Sequence, residues 1–402
     1  MILRHFIKVF TLFYVFGASV AYSDTRYAAS CSFTDIQAAV TASLSGDTVI
    51  VPGGTCTWSN SMTLGSSKAI TLQGTGTTIK RVNLGNVPLI NISTNSAQST
   101  TVTGFNFRDE STSDQGFSGA FIQASGSPAN AKFRIYNNTF TVESPWCGNV
   151  KLHIRVVGQQ FGLIDNNTFN FSTASEVIHN EGYGSGSDAG WMDDVSPGSI
   201  NAVYIENNKF WNTPSCRWVT GSTVNAGANS AVQNYYGART VFRYNTVQMA
   251  NVDAHGTAGM IGARWYEIYE NSWLGVPNGN MDKMVQLRGG SGVVFNNTWT
   301  SSGSVLNTGI KMYEEDSGTY PLPYQVGRGK KSGSTFASEP VYIWGNSISG
   351  TSFGETGGDS YVQQNRDYYV GIQRTGYTPL IYPHPLISIV FKQPNYPVPT
   401  IQ

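Results

Sequence analysis

Charge is scarce in this chain of 402 residues: Lys, Arg, Asp and Glu together make up 12%, about half the share of an average soluble domain. Disordered chains need many charges and few aromatics, whereas 12% of the residues here are Phe, Tyr or Trp, so disorder is excluded. The Ala-Glu-Lys-Leu stretches that build long helices are missing, which excludes an all-helical protein. No basic patch of the kind nucleic acid requires is present, and nucleic acid is not an expected partner. After the N-terminal segment no apolar run approaches the ~20 residues that span a bilayer. Cysteine is limited to Cys31, Cys56, Cys147 and Cys216, with no Cys-x-x-Cys or Cys/His cluster that would suggest zinc.

What the chain does have is Gly, Thr, Ser and Asn, the residues of turns and strands. Residues 1–23 read as a secretory signal peptide: Arg4, His5 and Lys8 form a positive end, Val9 to Ala21 an apolar stretch, and Ser19-Val20-Ala21 or Ala21-Tyr22-Ser23 a small-residue cleavage site. An uncleaved anchor is the alternative. Removal would leave 23 basic and 25 acidic residues and a protein that is secreted, periplasmic or held at the cell surface. All four cysteines follow this segment, which fits an oxidising compartment.

One pattern organises the rest: alternating apolar residues, an Asn, a Thr or Ser, then an aromatic. It runs Ile135-Tyr136-Asn137-Asn138-Thr139-Phe140, Ile164-Asp165-Asn166-Asn167-Thr168-Phe169 and Ile205-Glu206-Asn207-Asn208-Lys209-Phe210, with weaker copies around Asn245, Asn271, Asn297 and Asn346. The second Asn recurs at 138, 167, 208, 245, 271, 297 and 346, which is a basic period near 26 with insertions. Such a period signals a solenoid in which each repeat is one coil of short strands, stable only when the next coil covers its inward face. The recurrent Asn suits a left-handed turn, and stacked Asn amides can bond from coil to coil. Thr34-Asp35-Ile36-Gln37 has capping-box spacing, and Ile36, Val40 and Leu44 share a helical face that Gly46 can end. A strand over residues 47–52 follows, so a short helix is expected to cap the open N-terminal end.

The motifs Asp35-Ile36-Gln37-Ala38-Ala39-Val40, Gly46-Asp47-Thr48-Val49-Ile50-Val51-Pro52-Gly53-Gly54-Thr55 and the Asn-Asn-Thr-Phe coils resemble right-handed parallel β-helix proteins of the pectin-lyase-like superfamily. The resemblance covers roughly residues 31 to 350 and implies an all-β, single-stranded right-handed parallel β-helix. It does not fix an activity, since that superfamily holds lyases, hydrolases, epimerases, tailspikes and adhesins. The expected organisation is a capped β-helix over 24–350 and an extended tail over 351–402 that packs on the helix or closes its far end. Cys31 with Cys56 and Cys147 with Cys216 is the disulfide pairing that couples neighbouring coils; buried free thiols are the alternative.

Three residues before the second Asn the side chain is apolar in every coil and should be buried, so the positions two and four before should face outward. These give a stripe of Arg134, Tyr136, Tyr204, Glu206, Arg243, Glu267, Tyr269 and Trp344, suited to binding an extended anionic polysaccharide by ring stacking and charged forks. The other reading is an ordinary solvated face covered by loops. Asp253, His255, Arg264, Tyr266 and Arg288 form the densest cluster of reactive types. A lyase acting on a uronic acid must neutralise the sugar carboxylate, which Arg264 or Arg288 could do, and remove the adjacent proton, which His255 or Tyr266 could do. A structural turn at Asp253 and His255, with Arg264 paired to Glu267, is the alternative.

A hydrolase would instead need two or three carboxylates around the bond. Asp193-Asp194, Glu181 and His255-Gly256 are its candidates, but no Asn-Thr-Asp precedes Asp193, and the pectate-lyase Arg-x-Pro-x-x-Arg is absent. No cofactor is certain; Ca²⁺ is possible at the acidic insertion of Glu176, Glu181, Asp188, Asp193 and Asp194. The expected protein is a monomeric polysaccharide lyase, with a non-catalytic carbohydrate-binding β-helix as the other class of reading.

Overall fold

The computed structural model describes residues 23–387 apart from 66–67, 95–98, 112–118, 127–131, 143–151, 159–160, 172–175, 213–223, 226–229, 257–260, 315, 317, 349–350 and 353–360. The signal segment, Cys147 and Cys216 lie outside the described residues. Each coil is made of three short strands, as in Ser230–Tyr235, Arg239–Arg243 and Thr246–Gln248, and each strand pairs in parallel with its counterpart one coil away. The fold is therefore the parallel β-helix expected from the repeat. The first strand of each coil belongs to a ten-stranded sheet, called here the polar sheet; the second and third belong to a 21-stranded sheet that bends at the Asn turn. No helix among the described residues is long and apolar enough to cross a membrane.

Alternation decides what lies inside. Ile135, Ile164, Ile205, Phe242, Ile268, Val294 and Ile343 hold one register and are buried in a single continuous core. One strand further on, Phe107, Phe140, Phe169 and Phe210 stack ring on ring at 4.8 to 5.2 Å between centroids. The Asn turn divides two tasks between its two positions. The first takes the left-handed backbone, occupied by Asn137, Asn166, Asn207, Tyr244, Glu270, Asn296 and Gly345. The second Asn turns into the coil: Asn208 N donates to Asn245 Oδ1 at 2.9 Å, and Asn245 N to Asn271 Oδ1 at 2.9 Å, so one ladder runs from Asn138 to Asn346.

The N-terminal cap is a helix over Phe33–Ala42 whose N-cap is Ser32, two residues before the Thr34 of the expected capping box; Asp35 N donates to Ser32 Oγ. Ile36 and Val40 are buried, but the helix ends before Leu44, which is exposed, and Gly46 sits in the following turn. The Cys31–Cys56 disulfide is present. The coils run past residue 350, where Tyr368–Val370 pairs in parallel with Val341–Trp344.

Residues 371–387 then turn back as a strap over the outer face of the 21-stranded sheet. Leu380, Leu386 and Ile387 pack on Leu163, Tyr204, Val241, Tyr269, Val293 and Phe295.

Candidate functional site

The strap corrects the expected binding stripe. The side chains do point out of the coil, but Tyr204, Glu206, Arg243, Glu267 and Tyr269 are buried beneath residues 377–387. Arg243 bonds Glu206 Oε2 at 2.6 and 2.8 Å and donates to Tyr269 Oη and to the Leu380 carbonyl. Glu206 accepts the His384 amide at 3.0 Å, and Glu267 accepts from Tyr377 Oη at 2.6 Å. Arg134 pairs with Asp165 at 2.8 Å and lies 3.9 Å over the Tyr136 ring; Trp344 stacks on Phe295 at 4.4 Å. The middle of this face is therefore an intramolecular contact with the strap, neither exposed to a polymer nor solvated.

The outward side chains of the polar sheet are not reached by the strap but are themselves largely buried, with Asp253, Glu181, Tyr235, His179, His255 and Arg288 between 3 and 9% exposed. Arg155, His179, Gln233, Asp253 and Gln286 occupy one row on five successive coils. Two residues on, Glu181 and Tyr235 share the next row, followed by His255 and Arg288 where the strands of their coils end. Three rings stack along the axis: His179 on Tyr235 at 4.5 Å, and Tyr235 on His255 at 4.3 Å.

The two histidines are held in opposite states. Burial works against a charge on His179, but Glu176 at Nδ1 and Glu181 at Nε2 (2.9 Å) outweigh it and raise its pKa, so the imidazolium is favoured. Burial pushes His255 down to about 3, assisted by the positive charges of Arg288 and His179, so it is a neutral imidazole across the physiological range. Burial and then the Glu176 charge raise the Tyr235 phenol above its usual range; its hydroxyl lies 3.1 Å from Glu176 Oε1. Asp253 holds Arg288 through two bonds, 3.1 Å at Nε and 2.7 Å at Nη2, and burial lifts the Asp253 carboxyl to about 6 against the pull of that guanidinium. Arg155 is fixed by Glu181 at 2.7 Å.

Of the expected catalytic set, Asp253, His255 and Arg288 thus meet, and two members do not join them. Tyr266 faces the coil interior, fully buried, with its hydroxyl unpartnered, because it lies on the inward side of the alternation. Arg264 turns away at the corner between the two sheets and pairs with Glu339 at 2.7 Å, not with Glu267. The acidic insertion is also dispersed: Glu176 and Glu181 engage His179, Asp188 engages Lys331, Asp193 lies near Arg239, and Asp194 pairs with Lys330 at 3.0 Å. Among the described residues no group of three His, Cys, Asp or Glu side chains could hold a metal ion.

Sequence reasoning missed His179 and Tyr235 as site residues. The signal was available in Glu176-Val177-Ile178-His179-Asn180-Glu181, which forms the strand one coil before Ser230–Tyr235. It was hidden because the Asn motif marks only the second and third strands of each coil.

No protein-family model matches the chain, and no curated protein matches it by sequence. Among solved structures, the chain is similar to an alginate lyase from Paenibacillus sp. str. FPU-7, with 11% identity over 87% of this chain and 99% of that one and a TM-score of 0.44. It is also similar to the catalytic domain of a GH87 alpha-1,3-glucanase solved with tetrasaccharides, with 13% identity over 89% of this chain and 69% of that one and a TM-score of 0.31.

Proposed function

We propose that the protein is an exported polysaccharide lyase acting on a uronic-acid-containing polymer, with its active site on the polar sheet at His255, Tyr235 and Arg288. One observation carries the reading: an uncharged imidazole and a neutral phenol stand ring on ring beside a guanidinium, on the sheet that the strap does not reach. Arg288 pairs with the sugar carboxylate and stabilises the charge that builds there when the neighbouring carbon loses its proton. His255 takes that proton. The electron pair left behind forms the new carbon–carbon double bond, the glycosidic carbon–oxygen bond breaks, and Tyr235 gives its hydroxyl proton to the departing oxygen. Asp253 orients Arg288, and Glu176 orients both His179 and Tyr235.

β-Elimination leaves a conjugated, ultraviolet-absorbing sugar, so growth of absorbance on alginate, pectate or a glycosaminoglycan is the expected result. His255→Ala should lower kcat by about 10²- to 10⁴-fold. Tyr266→Phe should leave turnover within about twofold, since that hydroxyl faces the core. Full activity in His255→Ala would sink the assignment.

The Asp253 carboxyl near 6 favours a second reading, a glycoside hydrolase with Asp253 as its acid. New reducing ends without absorbance would select it. Binding of the polymer with neither product would select the non-catalytic reading.

A further inference from the structure

The corner beyond the polar sheet holds arginines with too little to bind. After Tyr235 the chain turns through Tyr236 to Ala238 into Arg239; Gly237 N donates to the Gly262 carbonyl at 2.9 Å, and Arg264 N to the Ala238 carbonyl at 3.0 Å. Arg239 and Arg264 therefore stand on neighbouring coils, one tight turn from the Tyr235–His255 pair. Arg239 is 8% exposed and Arg264 2%. Arg264 shares Glu339 with Arg374, whose Nη2 reaches Glu339 Oε1 at 3.0 Å. Among the described residues the carboxylate paired with Arg239 is that of Asp193, at 3.8 Å; Nε and Nη2 of Arg239 make no hydrogen bond, and neither does Nε of Arg264.

Burying a guanidinium without hydrogen-bonded compensation costs several kcal/mol, and a neighbouring guanidinium adds to the cost. Burial and the charge of Arg264 both weigh on Arg239, against attraction from Tyr183, Asp193 and, more weakly, Asp194. Asp193 is a loose partner: its carboxylate is 51% exposed and is also held by Tyr183 Oη. A carboxylate that reached Nε and Nη2 together would supply the fork geometry that Asp193 does not.

We infer that Arg239, backed by Arg264, forms a second anion subsite that takes the carboxylate of a neighbouring uronate residue of the polymer, with Asp193 holding the place until that carboxylate displaces it. This extends the reading of the groove as a uronate-polymer site, and it names the substrate class more narrowly: the polymer carries acidic sugars next to the one that reacts. A polymer with isolated uronates would leave the corner arginines unmatched.

The test is thermal melting and calorimetric titration with sodium glucuronate and sodium sulfate at constant ionic strength, with glucose as the neutral control, on the wild type, Asp193→Asn and Arg239→Gln. Arg288 is common to all three proteins, so differences among them report on the corner. Asp193→Asn should tighten the apparent Kd for glucuronate about threefold, the value of one exposed ion pair removed as competitor. Arg239→Gln should weaken it at least tenfold, as loss of a charge-assisted fork does. Glucose should shift neither measurement. An unchanged Kd in Asp193→Asn overturns the inference even if Arg239→Gln fails to fold, and binding of sulfate without glucuronate overturns the assignment to a sugar carboxylate. The outcome is separable from the lyase reading: tightening in Asp193→Asn with no elimination product keeps the subsite and removes the lyase, and elimination with no tightening does the reverse.

Discussion

At the scale of single residues, the Asn turn shows how two adjacent positions of one type come to obey different physics. Asn245 Nδ2 donates to the carbonyls of Ile205 and Arg243 and to Asn271 Oδ1, while its own Oδ1 accepts the Asn208 amide. Asn245→Ala leaves those buried groups unpaired and should cost about 3 kcal/mol, read as a lower denaturant midpoint at unchanged slope. The position before it takes the left-handed backbone, and its exposed side chains make looser contacts between coils, as where Asn296 Nδ2 donates to Glu270 Oε1 at 2.8 Å. Glu270, at φ 55°, is the costly occupant there, and Glu270→Gly should be neutral or stabilising by up to about 1 kcal/mol. A large loss in Glu270→Gly, or none in Asn245→Ala, would show that the two roles were assigned the wrong way round. The sequence displayed both positions as Asn in four coils, so it located the turn without separating the roles.

At the scale of elements, the strap over residues 371–387 closes one outward face of the solenoid. Its apolar side chains cover Tyr204, Val241 and Tyr269, and its backbone engages the Arg243–Glu206 pair. Removing everything after residue 370 would uncover this apolar face together with a buried ion pair. The truncated protein should melt at least 5 °C lower and bind a hydrophobic dye, because a two-sided contact of this kind is worth several kcal/mol. A truncated protein with full stability would mean that the strap rests on a face able to stand in water. The sequence identified the outward direction of the stripe correctly, since alternation is local. It could not show the covering, because the strap meets residues more than a hundred positions away: Arg243 meets Leu380 across 137 positions.

At the scale of the whole molecule, three histidines are buried where protonation is unfavourable. His153 lies among Phe121, Phe140, Phe169 and Phe171 with its pKa lowered by burial to about 3; His255 is also near 3 and His384 near 4. In the unfolded chain each would titrate near 6.5, so as pH falls below 6.5 the unfolded state binds protons that the native state refuses. Stability is therefore full above 6.5 and declines toward pH 4, by about 1 kcal/mol per pH unit for each histidine. His179 works the other way, since its raised pKa favours the folded state below 6.5. Denaturant unfolding at pH 7, 6 and 5 should show the decline, and His153→Phe should flatten it by about a third; an identical slope in the variant would remove His153 from the account.

The period of the Asn motif, the alternation of apolar positions and the N-terminal helix were properties of the sequence alone, because each depends on neighbours within one coil. They determined a β-helix, its core and the inward and outward directions of its strands. Which outward face the strap covers, and which titratable groups stand together on the other, was decided only by the tertiary structure. His179, Tyr235 and His255 stand ring on ring although 76 positions separate the first from the last. Insertions of unequal length make each coil a different number of residues, so linear spacing is lost while parallel pairing keeps the coils in register. Chemistry in this fold depends on position along the stack, and only pairing between coils sets that position.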